Sequence, residues 1–141
     1  MLGVTLIELL IVVVILAVLS AIALPTYQDS VRKSGRSAAK GALMDLVMRQ
    51  EQYFINNKSY ATALAGLGLP DPYYVDKTNA PVAATDSAGV YQLTLANATA
   101  ISYDAVASTV QAQAVDGCGN YTLKSDGARS VSGSIGSAAC W

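Results

Sequence analysis

The stretch GVTLIELLIVVVILAVLSAIALPTYQ, residues 3–28, contains one charged side chain, Glu8. From Leu9 to Gln28 no side chain is charged, and about 20 such residues are enough to cross a hydrocarbon core of roughly 30 Å. The stretch therefore predicts a transmembrane helix, and an ordinary N-terminal membrane anchor is its simplest interpretation. Such an anchor does not explain the carboxylate, because a charge in the apolar layer is costly and tends to be kept where it has a partner.

The helical pattern continues past the apolar stretch. Pro25 removes one backbone donor, but helices in membranes tolerate proline. Between Ala39 and Phe54 the apolar residues recur every three to four positions with charged residues between them, which is the pattern of an amphipathic helix. We therefore predict one helix over residues 4–55, ended by Asn56-Asn57, whose second half buries its apolar stripe against the rest of the chain.

The remainder of the chain changes from helical to strand periodicity. Residues 56–89 hold prolines, glycines and small polar residues and are interpreted as a connection. Strands are predicted at residues 90–95 and 101–110, where apolar and polar side chains alternate. Two further short runs flank Asp126-Gly127, a strong hairpin signal. The predicted fold class is α+β, with a long N-terminal helix packed on a small antiparallel sheet of three to four strands.

The two cysteines, Cys118 and Cys140, are both near the end of the sequence. An even number of cysteines in a chain with an N-terminal membrane segment favours a disulfide in an oxidising compartment, and two buried free thiols are the alternative.

The distribution of charge argues against an oxidising compartment for the C-terminal part. The formal net charge is −1, yet Arg32, Lys33 and Arg36 follow the apolar stretch closely. A basic flank tends to stay in the cytoplasm, which would place the C-terminal part there and conflict with a disulfide. From residue 56 onward four basic residues face six aspartates, so the C-terminal region is mildly acidic.

No catalytic chemistry is visible in the sequence. It has no histidine, no glycine-rich phosphate loop and no tightly spaced carboxylate cluster of the kind that holds a hard cation. We therefore predict no catalytic residue, no metal and no cofactor, and an enzyme on a membrane anchor is the least supported class of function.

Several motifs resemble those of one protein family. GVTLIELL, residues 3–10, is similar to the processing and methylation site of type IV pilins, and Pro25 stands where the helix of that family carries a proline. RQEQYF at residues 49–54, the Tyr60 region, DGAR at residues 126–129 and the two cysteines with Trp141 resemble PilE-like and ComP-like pilins.

The resemblance implies a ladle-shaped filament subunit without enzymatic activity. Prepilin peptidase would cleave after Gly3 and methylate the new amino terminus at Val4, and Glu8 would pair with the Val4 amine of a neighbouring subunit. The chain would lie in the bacterial inner membrane before assembly and in an extracellular pilus afterwards, with its C-terminal part outside the cytoplasm. Its partners would be further copies of itself and other pilins.

The implied domain organisation has four parts: a residual leader (1–3), a helix for the membrane and the filament core (4–28), an amphipathic helix half (29–55), and a connecting loop, sheet and disulfide region (56–141).

Two alternatives within the family's range remain open. ComP-like members bind DNA for uptake, and Lys124 and Arg129, which flank the Asp126-Gly127 turn, are the candidate DNA contacts here. DNA binding needs basic residues that neutralise phosphates, of which this region has few. A type II secretion pseudopilin shares the N-terminal motif, but the terminal cysteine pair resembles the pilus subunits more.

Overall fold

The structure is a computed structural model and describes residues 5–141. The predicted processing site, Gly3 and Val4, therefore lies outside the described residues. The chain divides into two compact units, Met1–Val31 and Arg32–Trp141.

One long helix, α1 (Leu6–Asn57), runs through 52 residues. At its start the Thr5 hydroxyl accepts a hydrogen bond from the Glu8 N–H at 3.3 Å, which satisfies one of the donors left open at a helix N-terminus. The helix continues without interruption through Pro25. At its C-terminal end Lys58 takes the left-handed conformation that closes many helices, with φ 58°, and its N–H bonds the Phe54 carbonyl at 2.8 Å. The predicted helix end at Asn56-Asn57 is confirmed.

A six-stranded antiparallel sheet follows in the second unit. The strands are β1 (Tyr73–Asp76), β2 (Pro81–Val82), β3 (Gly89–Ala96), β4 (Asp104–Thr109), β5 (Tyr121–Lys124) and β6 (Arg129–Val131). Their order across the sheet is β2-β1-β3-β4-β5-β6. Two short 3₁₀ helices, Leu64–Leu67 and Gln111–Val115, and a short helix α2 (Ser137–Cys140) lie in the connections.

The expected α+β architecture is confirmed, but the expected count of three to four strands is wrong. The two extra strands, β1 and β2, lie inside residues 56–89, which we interpreted as a connection. β2 has only two residues and begins with Pro81, and a proline cannot donate to a ladder and is confined to edges or strand starts. The strand expected over residues 101–110 begins only at Asp104, because residues 97–103 form the turn that joins β3 to β4.

The core of the second unit lies between the sheet and the C-terminal half of α1. Alternate residues of β3 to β5 point to the helix, and among them Tyr91, Leu93, Ala105, Ala107 and Tyr121 are fully buried. The helix contributes small and apolar residues to the same core: Ala39, Ala42, Leu43 and Leu46. The other face of the sheet carries Thr94, Val106 and Thr122, which lie side by side on three neighbouring strands.

Candidate functional site

The N-terminal part of α1 exposes an apolar surface. From Leu6 to Tyr27, fifteen large apolar side chains are 51% to 84% exposed. Fully burying one such side chain stabilises by about 1.5 to 3 kcal/mol, and these side chains are on average a little over half exposed, so the whole surface represents roughly 20 kcal/mol of unfavourable hydration, which is more than the folding free energy of a typical domain. This segment is also long and apolar enough to cross a membrane. It therefore has to be covered by lipid or by protein.

Glu8 lies in the first turn of this exposed segment. A carboxylate there is favoured by the helix dipole. The chain supplies no basic side chain between Glu8 and Arg32, so no nearby side chain along the helix can balance the charge.

Arg36 and Asp116 form an ion pair between α1 and the loop before β5. The Arg36 Nε donates to both carboxylate oxygens, at 2.9 and 3.1 Å, and the terminal Nη2 makes a third bond. Burial by itself would raise the pKa of Asp116, but the hydrogen bonds from Arg36 and the Cys118 N–H, with the charge of Arg36, hold that pKa below its ordinary value. The pair fixes the loop to the helix.

Gln113 joins the same cluster from the second 3₁₀ helix. Its amide Nε2 donates to the Arg32 carbonyl at 3.2 Å, the Tyr91 hydroxyl at 3.3 Å and Asp116 Oδ2 at 3.0 Å. It fits because Gly35 of α1 has no side chain: a Cβ there would lie 2.6 Å from the Gln113 Oε1. No periodicity or motif in the sequence predicts this cluster, and the only signal of a close approach is a glycine inside the amphipathic helix, Gly35.

Cys118 and Cys140 form a disulfide, and their Cα atoms are 5.9 Å apart. Around it the Cys140 carbonyl accepts hydrogen bonds from the Tyr121 hydroxyl at 3.3 Å and the Lys40 Nζ at 3.2 Å. Trp141 packs edge-on against Tyr121, with ring centroids 5.4 Å apart, and its indole N–H donates to the Ser130 carbonyl at 3.1 Å. The disulfide thus holds the last residues against β5 and β6.

The two candidate DNA contacts do not share a face of the sheet. Arg129 is the cross-strand partner of the buried Leu123, so its side chain belongs to the helix side, and its guanidinium lies 5.2 Å from the centre of the Trp141 ring. Lys124 is the next residue after Leu123 and points to the opposite side, where its cross-strand partner is Asp104. The two residues are both exposed, but they form no common patch.

Three aspartates accept hydrogen bonds in separate turns. Asp76 Oδ1 accepts hydrogen bonds from the N–H groups of Thr78 and Ala80 and from the Thr78 hydroxyl, at 2.7 to 2.9 Å. These bonds lower the pKa of Asp76. Asp86 and Asp126 each accept one backbone N–H in their own turns. Within residues 5–141 no group of three or more His, Cys, Asp or Glu is arranged to hold a metal ion.

Known proteins resemble this chain over most of its length. The family described as "Type IV minor pilin ComP, DNA uptake sequence receptor" matches residues 25–122. The type IV major alpha-pilin of Moraxella bovis is 30% identical over 143 aligned positions, which cover 92% of this chain and 88% of that protein.

A second relative, the type IV wide pilus major component PilA4 of Thermus thermophilus, is 41% identical over 70 residues. That match covers 48% of this chain and 53% of the relative, so the chain spans about half of that protein's length.

These matches agree with the architecture. A long helix with an apolar N-terminal half, an antiparallel sheet packed on its second half and a disulfide near the end of the sheet are what the resemblance implied. The chain belongs to the type IV pilin family.

Proposed function

We propose that this chain is a structural subunit of a type IV pilus and that it self-associates through the helix of residues 4–28. The observation that carries the proposal is the apolar surface from Leu6 to Tyr27, which no residue of its own unit covers in the described part of the chain. Helices of neighbouring subunits would cover this surface in a filament, and lipid would cover it before assembly. The chain would then be held in the bacterial inner membrane first and displayed on the cell surface afterwards.

In this proposal prepilin peptidase cleaves after Gly3 and methylates the Val4 amine. Glu8 then pairs with the Val4 amine of a neighbouring subunit. The pair sets the register between subunits, because a subunit docked one step out of place keeps two uncompensated charges in an apolar environment. Removing one partner of a buried pair costs about 3 to 5 kcal/mol, which corresponds to roughly a 150- to 4,000-fold loss in association.

Mass spectrometry of filaments sheared from the cell surface tests the proposal. We expect a species that begins at methylated Val4 and contains one disulfide. We expect Glu8→Gln to remove it from the filaments while the protein remains in the membrane. Asp71→Asn removes a charge in an exposed loop and serves as the matched control, with filament yield unchanged. Filaments of normal yield with Glu8→Gln would rule out the pairing, and absence of the wild-type chain from filaments would rule out the subunit function.

The second candidate function is that of a minor pilin that receives DNA at the pilus surface. The family match over residues 25–122 favours it, since that family is described as a DNA uptake sequence receptor. Lys124 and Arg129 are the candidate contacts, although they project from opposite faces of the sheet.

A DNA titration at several salt concentrations tests this second function. Each phosphate contact that is lost should reduce the slope of log K against log salt by about one. If the two residues act together, Lys124→Gln and Arg129→Gln should each weaken binding, and Lys58→Gln should not. Wild-type protein that shows no salt-dependent DNA binding would eliminate the function.

A type II secretion pseudopilin is the remaining alternative. Both named relatives are pilin or pilus components, which favours assembly into a pilus. Recovery of the chain in surface filaments, as in the experiment above, distinguishes the two.

A further inference from the structure

A groove of about 190 Å³ lies between the last turns of α1 and the first 3₁₀ helix. The residues that α1 contributes to it are polar or aromatic: Arg49, Gln52, Tyr53, Asn56 and Asn57. They recur at three- and four-residue spacing, so they share one face of the helix. All of the lining belongs to the second unit, and the functions proposed above give this polar face no role.

The base of the groove is held in place by bonds within the chain. Arg49 Nε donates to Asp45 Oδ2 at 3.0 Å, and Arg49 Nη1 donates to the Leu67 carbonyl at 3.4 Å, which ties the 3₁₀ helix to α1. Asn57 Nδ2 donates to the Tyr53 carbonyl at 2.9 Å. The charge of Arg49 is balanced by Asp45 one turn away, so the groove carries no net charge.

Other polar groups of the lining have no partner in the described part of the chain. Gln52 and Asn56 are exposed one helical turn apart, and neither uses its side-chain amide in a hydrogen bond. Each amide presents one acceptor oxygen and two N–H donors. The ring of Tyr53 is half-buried against the core, while its hydroxyl is also unbonded. The groove thus offers donors and acceptors side by side next to an aromatic ring.

Gly66 keeps the groove open on the side of the 3₁₀ helix. A Cβ at this position would lie 3.3 Å from the Ala61 Cβ and 3.7 Å from Tyr53 Cε2. Gly66 does not adopt the left-handed backbone conformation, so the backbone itself does not require glycine there. The missing side chain therefore serves the space beside the Tyr53 ring.

We propose that this groove binds one neutral sugar residue of a glycan. Each hydroxyl of a sugar ring both donates and accepts a hydrogen bond, which the amides of Gln52 and Asn56 match, and its C–H groups suit an aromatic neighbour such as Tyr53. Sites for drug-sized ligands measure about 300 to 1,000 Å³, so this smaller groove takes a single ring. A nucleic acid would need uncompensated basic residues, which the lining does not supply.

Saturation-transfer difference NMR tests the proposal on the full chain in a phosphocholine detergent, which has no sugar headgroup to compete. The probes are the methyl glycosides of glucose, galactose, mannose and N-acetylglucosamine. We expect at least one of them to bind with a Kd of about 1 to 10 mM, since a few neutral hydrogen bonds give little net affinity. The Kd should not change between about 50 and 500 mM salt, because the groove and the probes carry no net charge.

Variants place the binding in the groove. Gln52→Ala with Asn56→Ala should raise the Kd about tenfold or more through the loss of two amides. Gly66→Ala should raise it as well by narrowing the groove. Ile55→Ala is the matched control, because Ile55 is 67% exposed on another side of the same helical turns and does not line the groove. Near-UV circular dichroism of each variant verifies the fold.

The outcomes separate this site from the proposed function. No saturation transfer to any of the four glycosides at about 50 mM overturns the sugar site, since a Kd of 1 to 10 mM would give nearly full occupancy. An unchanged Kd in the Gln52→Ala, Asn56→Ala variant also overturns it. Salt-dependent binding of a DNA oligonucleotide that this variant loses would assign the groove to DNA instead. Each of these results leaves the pilus subunit intact, which the filament experiment tests separately.

Discussion

Gln50 is a buried polar side chain whose replacement should have a large and calculable effect. It is 0% exposed, and its amide pairs with the backbone of Ala61 as a neighbouring strand would. Its Nε2 donates to the Ala61 carbonyl at 2.9 Å, and its Oε1 accepts the Ala61 N–H at 2.9 Å. These two bonds tie the end of α1 to the loop that leads to the sheet.

Gln50→Met keeps the length of the side chain and removes both bonds. Each buried backbone group left without a partner costs about 1 to 3 kcal/mol, so the loss is about 2 to 6 kcal/mol. The apolar replacement no longer has to desolvate an amide and recovers part of that cost, which leaves a net destabilisation of about 2 to 4 kcal/mol. With a typical urea m value of about 2 kcal/mol/M, the unfolding midpoint should fall by about 1 to 2 M.

Urea unfolding of the full chain in detergent, followed by near-UV circular dichroism with the disulfide intact, measures this shift. Gln52→Met is the matched control, because Gln52 is exposed two residues further along the same helix and should leave the midpoint unchanged. A Gln50→Met midpoint within about 0.3 M of the control would refute the reasoning, since that difference corresponds to less than the cost of one unsatisfied group.

Three further changes have defined expectations. Reduction of the disulfide, whose cysteines are 22 positions apart, should lower stability by about 3.4 kcal/mol in the chain-entropy relation, measured as the urea midpoint with and without reductant. Asp116→Asn should lower stability at neutral pH and flatten its acid dependence. The pKa of the Asp116 carboxyl is lower in the folded state than its value of 3.8 in the unfolded state, so the ionised form stabilises the fold above pH 3.8. This stability is lost as the pH falls through the folded-state pKa, which unfolding midpoints at pH 7, 4 and 3 will show. Gly35→Ala should destabilise the fold by about 1 to 2 kcal/mol. The added Cβ displaces the buried Gln113 amide, and the cost of that displacement exceeds the gain of about 1 kcal/mol in helix propensity. Gly41 is exposed on the same helix, so Gly41→Ala should not destabilise the fold in the same assay.

The helix was predictable from the sequence because its signals are local. A long uncharged run, a three-to-four spacing from Ala39 onward and a pair of asparagines at the end define α1 without knowledge of any other element. The hairpin around Asp126-Gly127 was predictable for the same reason, since Gly127 has φ 85° and a glycine adopts that conformation without strain.

Other features depend on contacts between distant parts of the chain. β1 and β2 are four and two residues long, too short for a periodic pattern. β1 is a strand because β3 offers it an edge, and β2 pairs in turn with β1. Arg36 and Asp116 are 80 residues apart, and nothing in the order of residues pairs them. The pleat also separates Lys124 from Arg129, which closeness in sequence had suggested as one patch.

The alternation of the sheet between a helix side and an outer side has an evolutionary consequence. On the helix side Ala105 and Ala107 meet a helix rich in alanine, so a larger residue there has no room and a sequence change is costly. On the outer side changes at Thr94, Val106 or Thr122 alter no core contact and should cost within about 0.5 kcal/mol each. Substitutions can therefore accumulate on the outer face of the sheet while the core beneath it stays the same, so inward-facing and outward-facing residues of one strand can diverge at different rates.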